Sequence, residues 1–182
     1  MDFSNVKKIA IDGKEVKKIE INGVIAWQGG YTNLIPTSIN ADGTIYNGTG
    51  YKEGYRVRSG GAEGAQNNAT CSGYIPVKAG DIVRVSGINF FYDTSSNAIN
   101  VSDSNFTNLG QLVANNAKWN YGIFTNEGGY YDYGWYSVVE ESTGVYKWVV
   151  PPATSKVAYI RITGYTMDGE KMIATVNEEI EE

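Results

Sequence analysis

Apolar and polar residues alternate through most of the first 28 positions, and the pattern repeats. The stretch VKKIAIDG (residues 6–13) returns as VKKIEING (16–23), a period of ten. Each copy ends in Asp-Gly or Asn-Gly, which supply the two positive-φ residues of a type I′ hairpin turn. The spacing predicts strands over about 6–11, 14–21 and 24–28, joined as a three-stranded meander. Two-residue turns set its register: Ile11 faces Lys14, Ile9 faces Val16, Ile21 faces Val24 and Ile19 faces Ala26. One face then carries Val6, Ile19, Ile21, Val24 and Ala26, and the other carries Ile9, Ile11, Val16, Ile25 and Trp27. Both faces are apolar, more than so small a sheet covers by itself. One face is expected to pack on the rest of the chain. The other is expected to meet another subunit or a larger assembly, with Ile9, Ile11, Val16, Ile25 and Trp27 as the assembly candidates. The alternative is that both faces pack inside one monomer.

After a glycine hinge at QGGY (28–31), short apolar runs recur between Gly, Asn and Asp turns. They predict strands near 44–49, 54–58, 70–76, 81–87, 88–92, 97–102, 118–124, 134–140, 144–150, 156–163 and 171–177. A short helical turn is allowed within 106–116, GGAEGAQNN (60–68) reads as a flexible loop, and the acidic tail 177–182 is expected to fray. The fold class is all-β: a meander over residues 1–28, then an antiparallel jelly-roll β-sandwich over 29–182. In VYKWVV (145–150), Tyr146, Trp148 and Val150 share one phase, and Trp148 is the core candidate.

Composition agrees, with 22 glycines and 14 tyrosines among 182 residues and few strong helix formers. The net charge of −5 argues against nucleic acid or an anionic membrane as partners. No segment is long and apolar enough to span a bilayer. MDFSNVKKIA has no hydrophobic signal core, so synthesis and assembly in a cytoplasm are expected. The single cysteine, Cys71, reads as a small buried strand residue.

The chain has no histidine, which removes Ser–His–Asp and Cys–His catalysis and the usual zinc ligand sets. A carboxylate pair for glycoside cleavage would have to come from Glu127, Asp132, Glu140 and Glu141, whose more ordinary reading is solvated charge. Asp93, Ser95 and Asn97 alternate as oxygen ligands for calcium would, with Asp103 nearby. They lack the glycine and terminal acid of a calcium loop, so a polar turn is the expectation, with no metal and no cofactor.

GGYYDYGWY (129–137) concentrates aromatic side chains. Sugars stack their C–H faces on such rings while amides and carboxylates hold the hydroxyls. The glycan candidates are Trp119, Tyr121, Glu127, Tyr130, Tyr131, Asp132 and Tyr133, with Asn120 and Asn126 as further hydrogen-bonding groups. Tyr130–Tyr133 is expected to be an exposed tip, and Trp135–Tyr136 the start of a packed strand. The competing use for these rings is a core or a subunit interface.

VKKIAIDGKEVKKIEINGVIAW resembles the N-terminal hairpins of structural proteins of bacteriophages that infect Gram-positive gut bacteria. NLIPTSINADGTIYNGTGYKEGYRVRSG, SGYIPVKAGDIVRVSG and KVAYIRITGYTMDGEKMIATVNEEI look like the carbohydrate-binding-module-like jelly roll of such tail, baseplate, fibre or head-decoration proteins. The resemblance covers most of the chain and is weakest over 93–143. It implies a non-enzymatic virion component, with other virion proteins and cell-surface glycans as partners; the two-faced meander adds the expectation of a homo-oligomer such as a trimer. A free-standing bacterial carbohydrate-binding module and a glycan-cleaving enzyme are the other classes.

Overall fold

A computed structural model describes residues 9–11, 14–16, 18–21, 24–28, 31–58, 60–88, 98–113, 121–124, 130–136, 139–150, 156–166 and 168–180. For the strands before residue 31, for Ala98 and for 112–140, only backbone pairing is described. The protein is all-β. Among the described residues, the only helical segments are two 3₁₀ turns, Tyr46–Gly48 and Gly169–Lys171.

The N-terminal repeat forms β1 (Ile9–Ile11), β2 (Lys14–Val16), β3 (Lys18–Ile21) and β4 (Val24–Gln28). They pair as two hairpin ladders, β1 with β2 and β3 with β4. Ile11↔Lys14, Ile9↔Val16 and Ile21↔Val24 match the expected register. Ile19 does not face Ala26: the register shifts after Ile21↔Val24 and Glu20↔Ile25, and Ile19 pairs with Trp27. One extra residue on β4 makes a bulge there, and it breaks the alternation that grouped Trp27 with Ile25.

The sandwich is made of two antiparallel sheets. The first contains β5 (Tyr51–Val57), β6 (Glu63–Ser72), β9 (Ala98–Ser102), β10 (Asn108–Val113) and β15 (Tyr159–Gly164) in the order β10-β9-β15-β6-β5. A short β7 (Ile75–Pro76) also pairs with β15. The second contains β8 (Ile82–Ser86), β13 (Val139–Ser142), β14 (Val145–Val149) and β16 (Ile173–Val176) in the order β13-β14-β8-β16. Two further strands, β11 (Tyr121–Phe124) and β12 (Tyr130–Tyr136), pair with each other.

Alternation along the strands builds the core. Ile99 and Val101 of β9 and Ile160 and Ile162 of β15 meet Val83 and Val85 of β8, Tyr146 and Trp148 of β14 and Ala174 of β16. Trp148 is 1% exposed, as its phase predicted. Its indole N–H has no partner among the described residues, a cost of ~1–3 kcal/mol that burial of the ring offsets.

Several local expectations are overturned. Residues 44–49 are a turn rather than a strand: Asn47 (φ 50°), Gly48 (φ 74°) and Gly50 (φ 84°) take left-handed conformations. At Gly50 a Cβ would sit 1.9 Å from the Ile35 carbonyl oxygen, so close approach as well as φ requires glycine. The expected loop 60–68 is mostly β6, because β5 supplies a ladder partner. The register jumps from Glu53↔Thr70 to Tyr55↔Ala65, and Asn68 (φ 69°) and Gly54 (φ 74°) absorb the bend. Within 106–116, the described residues 106–113 hold no helical turn. Its 108–113 segment is β10, where pairing with the β9 edge overrides the helix-like spacing of Leu109, Leu112 and Val113. The tail is tied down through residue 178: Asn177 Nδ2 donates to Asp81 Oδ1 (2.8 Å), and the Glu178 carbonyl accepts from Thr175 Oγ1 (2.7 Å). The candidate strand 88–92 lies outside the described residues beyond Ile88, a buried bend residue.

Candidate functional site

The sequence candidates fall mainly where side chains are not described. Trp119, Glu127, Asn120, Asn126, Asp93, Ser95 and Asn97 lie outside the described residues. Tyr121 lies on β11, and Tyr130, Tyr131, Asp132 and Tyr133 lie on β12. The pairs Ile123↔Tyr131 and Phe124↔Tyr130 correct the expectation of a loop tip: the whole of Tyr130–Tyr136 is strand, because β11 pairs with it from Tyr130 onward. Asp103, proposed beside the calcium triplet, is a turn residue. Its Oδ1 accepts from the amides of Asn105 and Thr107, both at 2.9 Å. Among the described residues, no group of three His, Cys, Asp or Glu is placed to hold a metal.

Of the acids weighed for glycoside cleavage, Glu141 has a visible partner set. Its carboxylate pairs with Arg84 Nε at 2.5 Å and Lys147 Nζ at 2.8 Å. These hydrogen bonds, Arg84 first, pull its pKa down to about 2. That is the opposite of the raised value a proton-donating acid needs.

The richest constellation lies on the outer face of the six-stranded sheet, and the sequence reading missed it. Ile160 and Ile162 point into the core, so Tyr159, Arg161 and Thr163 point out. Arg161 is 5% exposed. Its Nη2 donates to Glu63 Oε1 at 2.9 Å and its Nε to the Ser72 carbonyl at 3.0 Å. The guanidinium lies between two rings, 4.9 Å from the Tyr46 centroid and 5.1 Å from that of Tyr74. Glu63 also receives Lys52 Nζ at 3.1 Å. Burial would push the Glu63 pKa up, but the Arg161, Tyr46 and Lys52 hydrogen bonds outweigh it and hold the carboxyl below its usual range. Burial pushes the Cys71 thiol up, which keeps it from acting as a thiolate nucleophile.

Next to this cation, Tyr74, Phe106 and Tyr159 form a ring cluster. Phe106 stacks on Tyr159 at 4.5 Å, and Tyr74 meets the two edge-on at 5.0 and 6.0 Å. Phe106 sits at φ 63° in the β9–β10 turn, a conformation that costs a non-glycine residue about 1–3 kcal/mol. The Asp103 hydrogen bonds to its neighbours hold it there.

The rest of this face is roofed by the β5–β6 hairpin. Val57 N–H donates to Thr163 Oγ1 (3.1 Å), and Gln111 Nε2 donates to the Val57 carbonyl (2.9 Å). Asn100 Nδ2 donates to the Arg58 carbonyl (2.9 Å). A separate open cleft of about 420 Å³ lies where residues 33–36 meet Tyr51, Glu170 and Met172.

Two signals for the missed site were present in the chain. YIRIT places a charge at the outward phase between two core isoleucines, and DSNFTN sets an aromatic in a polar turn. No family model, curated protein or solved structure matches the chain.

Proposed function

We propose that the protein is a non-enzymatic structural component of a bacteriophage virion. The N-terminal hairpins join copies of the chain, and the β-sandwich faces outward to contact host-surface glycans. In this reading the sandwich is a jelly roll, consistent with the way β6, β8, β9, β14, β15 and β16 change sheet along the chain.

The observation that carries the assembly half is the pair of N-terminal ladders, only two strands wide, whose sequence is apolar at both strand phases. Such ladders need an external surface to pack on. The resemblance of the repeat to phage hairpins supports the same reading. The commitment of Glu141 and Glu63 to ion pairs favours binding over glycoside cleavage.

Native mass spectrometry of the full chain and of an Ile9→Asp/Ile11→Asp variant tests it. An oligomer that falls to monomer in the variant is expected. A monomeric full chain at micromolar concentration would overturn the assembly role. Detection of the chain in purified particles by peptide mass spectrometry tests the virion assignment.

A further inference from the structure

We infer that the glycan-contacting surface is the ring row on the outer face of the six-stranded sheet, centred on Phe106, and that it takes a neutral polysaccharide chain. The inference rests on the glycan reading above and gives it a location away from the β11–β12 hairpin.

The row is longer than the ring cluster alone. Ile39 bridges to Ile45 on one side and to Tyr74 on the other, all antiparallel. Residues directly opposite in such bridges present their side chains to the same face. Ile45, 43% exposed, and half-buried Ile39 therefore extend the line of Tyr74, Phe106 and Tyr159. Two strand spacings, about 10 Å, separate Ile45 from Tyr74, and the Phe106 ring lies a further 5.0 Å on. An apolar strip of that shape, one side chain wide, suits several sugar rings in succession.

The groups beside the row select the chemistry. Ser104, Asn105 and Thr107 flank Phe106, are exposed, and make no side-chain hydrogen bond among the described residues. A dry protein surface laid over them would leave those groups without partners, whereas sugar hydroxyls would satisfy them. Three of the nearby charges are already used. Arg161 and Lys52 are paired to Glu63, and Asp103 accepts two loop amides. Arg161 and Lys52 are therefore committed and do not call for an anionic polymer. The left-handed φ of Phe106 is the further pointer: an aromatic ring is held in a turn conformation that glycine or asparagine would adopt more readily.

The test is titration calorimetry of the full chain against cellotetraose, mannotetraose, galactotetraose, an N-acetylglucosamine tetramer and, as the anionic arm, a glycerol phosphate polymer. Phe106→Gly removes the ring while accepting φ 63°. It is expected to weaken binding of a neutral oligosaccharide about tenfold or more, the scale of one lost ring contact. Ser104→Ala/Asn105→Ala, which leaves the backbone pattern intact, is expected to weaken it about threefold or more. Tyr131→Ala/Tyr133→Ala on β12 is expected to change it less than about twofold. Circular dichroism confirms that each variant is folded. If the full chain binds a neutral oligosaccharide and both ring-row variants bind equally well, this location is wrong and the glycan reading stands. If the full chain binds none of the probes, or only the anionic polymer, the inference falls, and in the first case the glycan reading falls with it.

Discussion

The two outer faces of the sandwich each bury an arginine, and they treat it differently. On the six-stranded sheet, Arg161 is enclosed by Tyr46 and Tyr74 and paired with Glu63. On the four-stranded sheet, Arg84 is 6% exposed. It is held by Glu141 and by its Nη1 donating to the Glu178 carbonyl at 3.2 Å. Aromatic rings cover the first cation and the returning chain covers the second. An arginine covered by rings leaves apolar surface facing outward. One covered by backbone closes its face with polar groups.

Removing the cations should separate the two faces. Arg161→Met leaves Glu63 part-buried with only Lys52 and the Tyr46 hydroxyl beside it and removes the filling between two rings. A loss of about 3 kcal/mol in urea unfolding is expected. The double variant Arg161→Met/Glu63→Gln should recover a good part of that loss, because it discards the stranded charge as well. A double variant no more stable than the single one would mean that the rings, and not the ion pair, dominate. Arg84→Met should cost less, about 1–2 kcal/mol, since Glu141 keeps Lys147 and is already about a third exposed. An equal loss at both positions would erase the contrast.

The smallest effect is in pH. The Glu141 carboxyl lies at about 2 in the folded chain against a usual 4.5, so its contribution is complete above pH 4.5 and is lost as pH falls towards 2. The stability gap between the native chain and Glu141→Gln should therefore narrow between pH 4.5 and 2. Added salt should shrink the gap at pH 6, because the pair is partly exposed. A gap that is constant over that window would show that the carboxylate's charge contributes nothing.

What was legible in the sequence was whatever alternation and two-residue turns dictate locally. The phase of Tyr146 and Trp148, the Asp-Gly hairpin of β1 and β2, and the strands through Val83 and Ile160 all follow from a period of two. What was not legible depends on partners far along the chain. β6 is a strand because β5 and β15 pair with it, although GGAEGAQNN is a loop by composition. The bulge opposite Ile19 shifts one residue in a register that the turn alone would fix. Glu63 and Arg161 are 98 residues apart, so their pairing leaves no local mark.

Asn33 has a mechanical meaning. Its side chain donates to the Met172 carbonyl at 2.9 Å and accepts from the Ala174 amide at 3.1 Å, while the Leu34 amide donates to the Ala174 carbonyl at 2.8 Å. The Thr32 amide donates to the Glu178 carboxylate. A tension arriving along the chain from the N-terminal hairpins meets this strap before it reaches the core. The strap hands the load to β16 and then, through the ladder, to β8 and β14. The Phe106 face belongs to the other sheet and stands off that load line, so pulling on the N-terminal hairpins need not distort it.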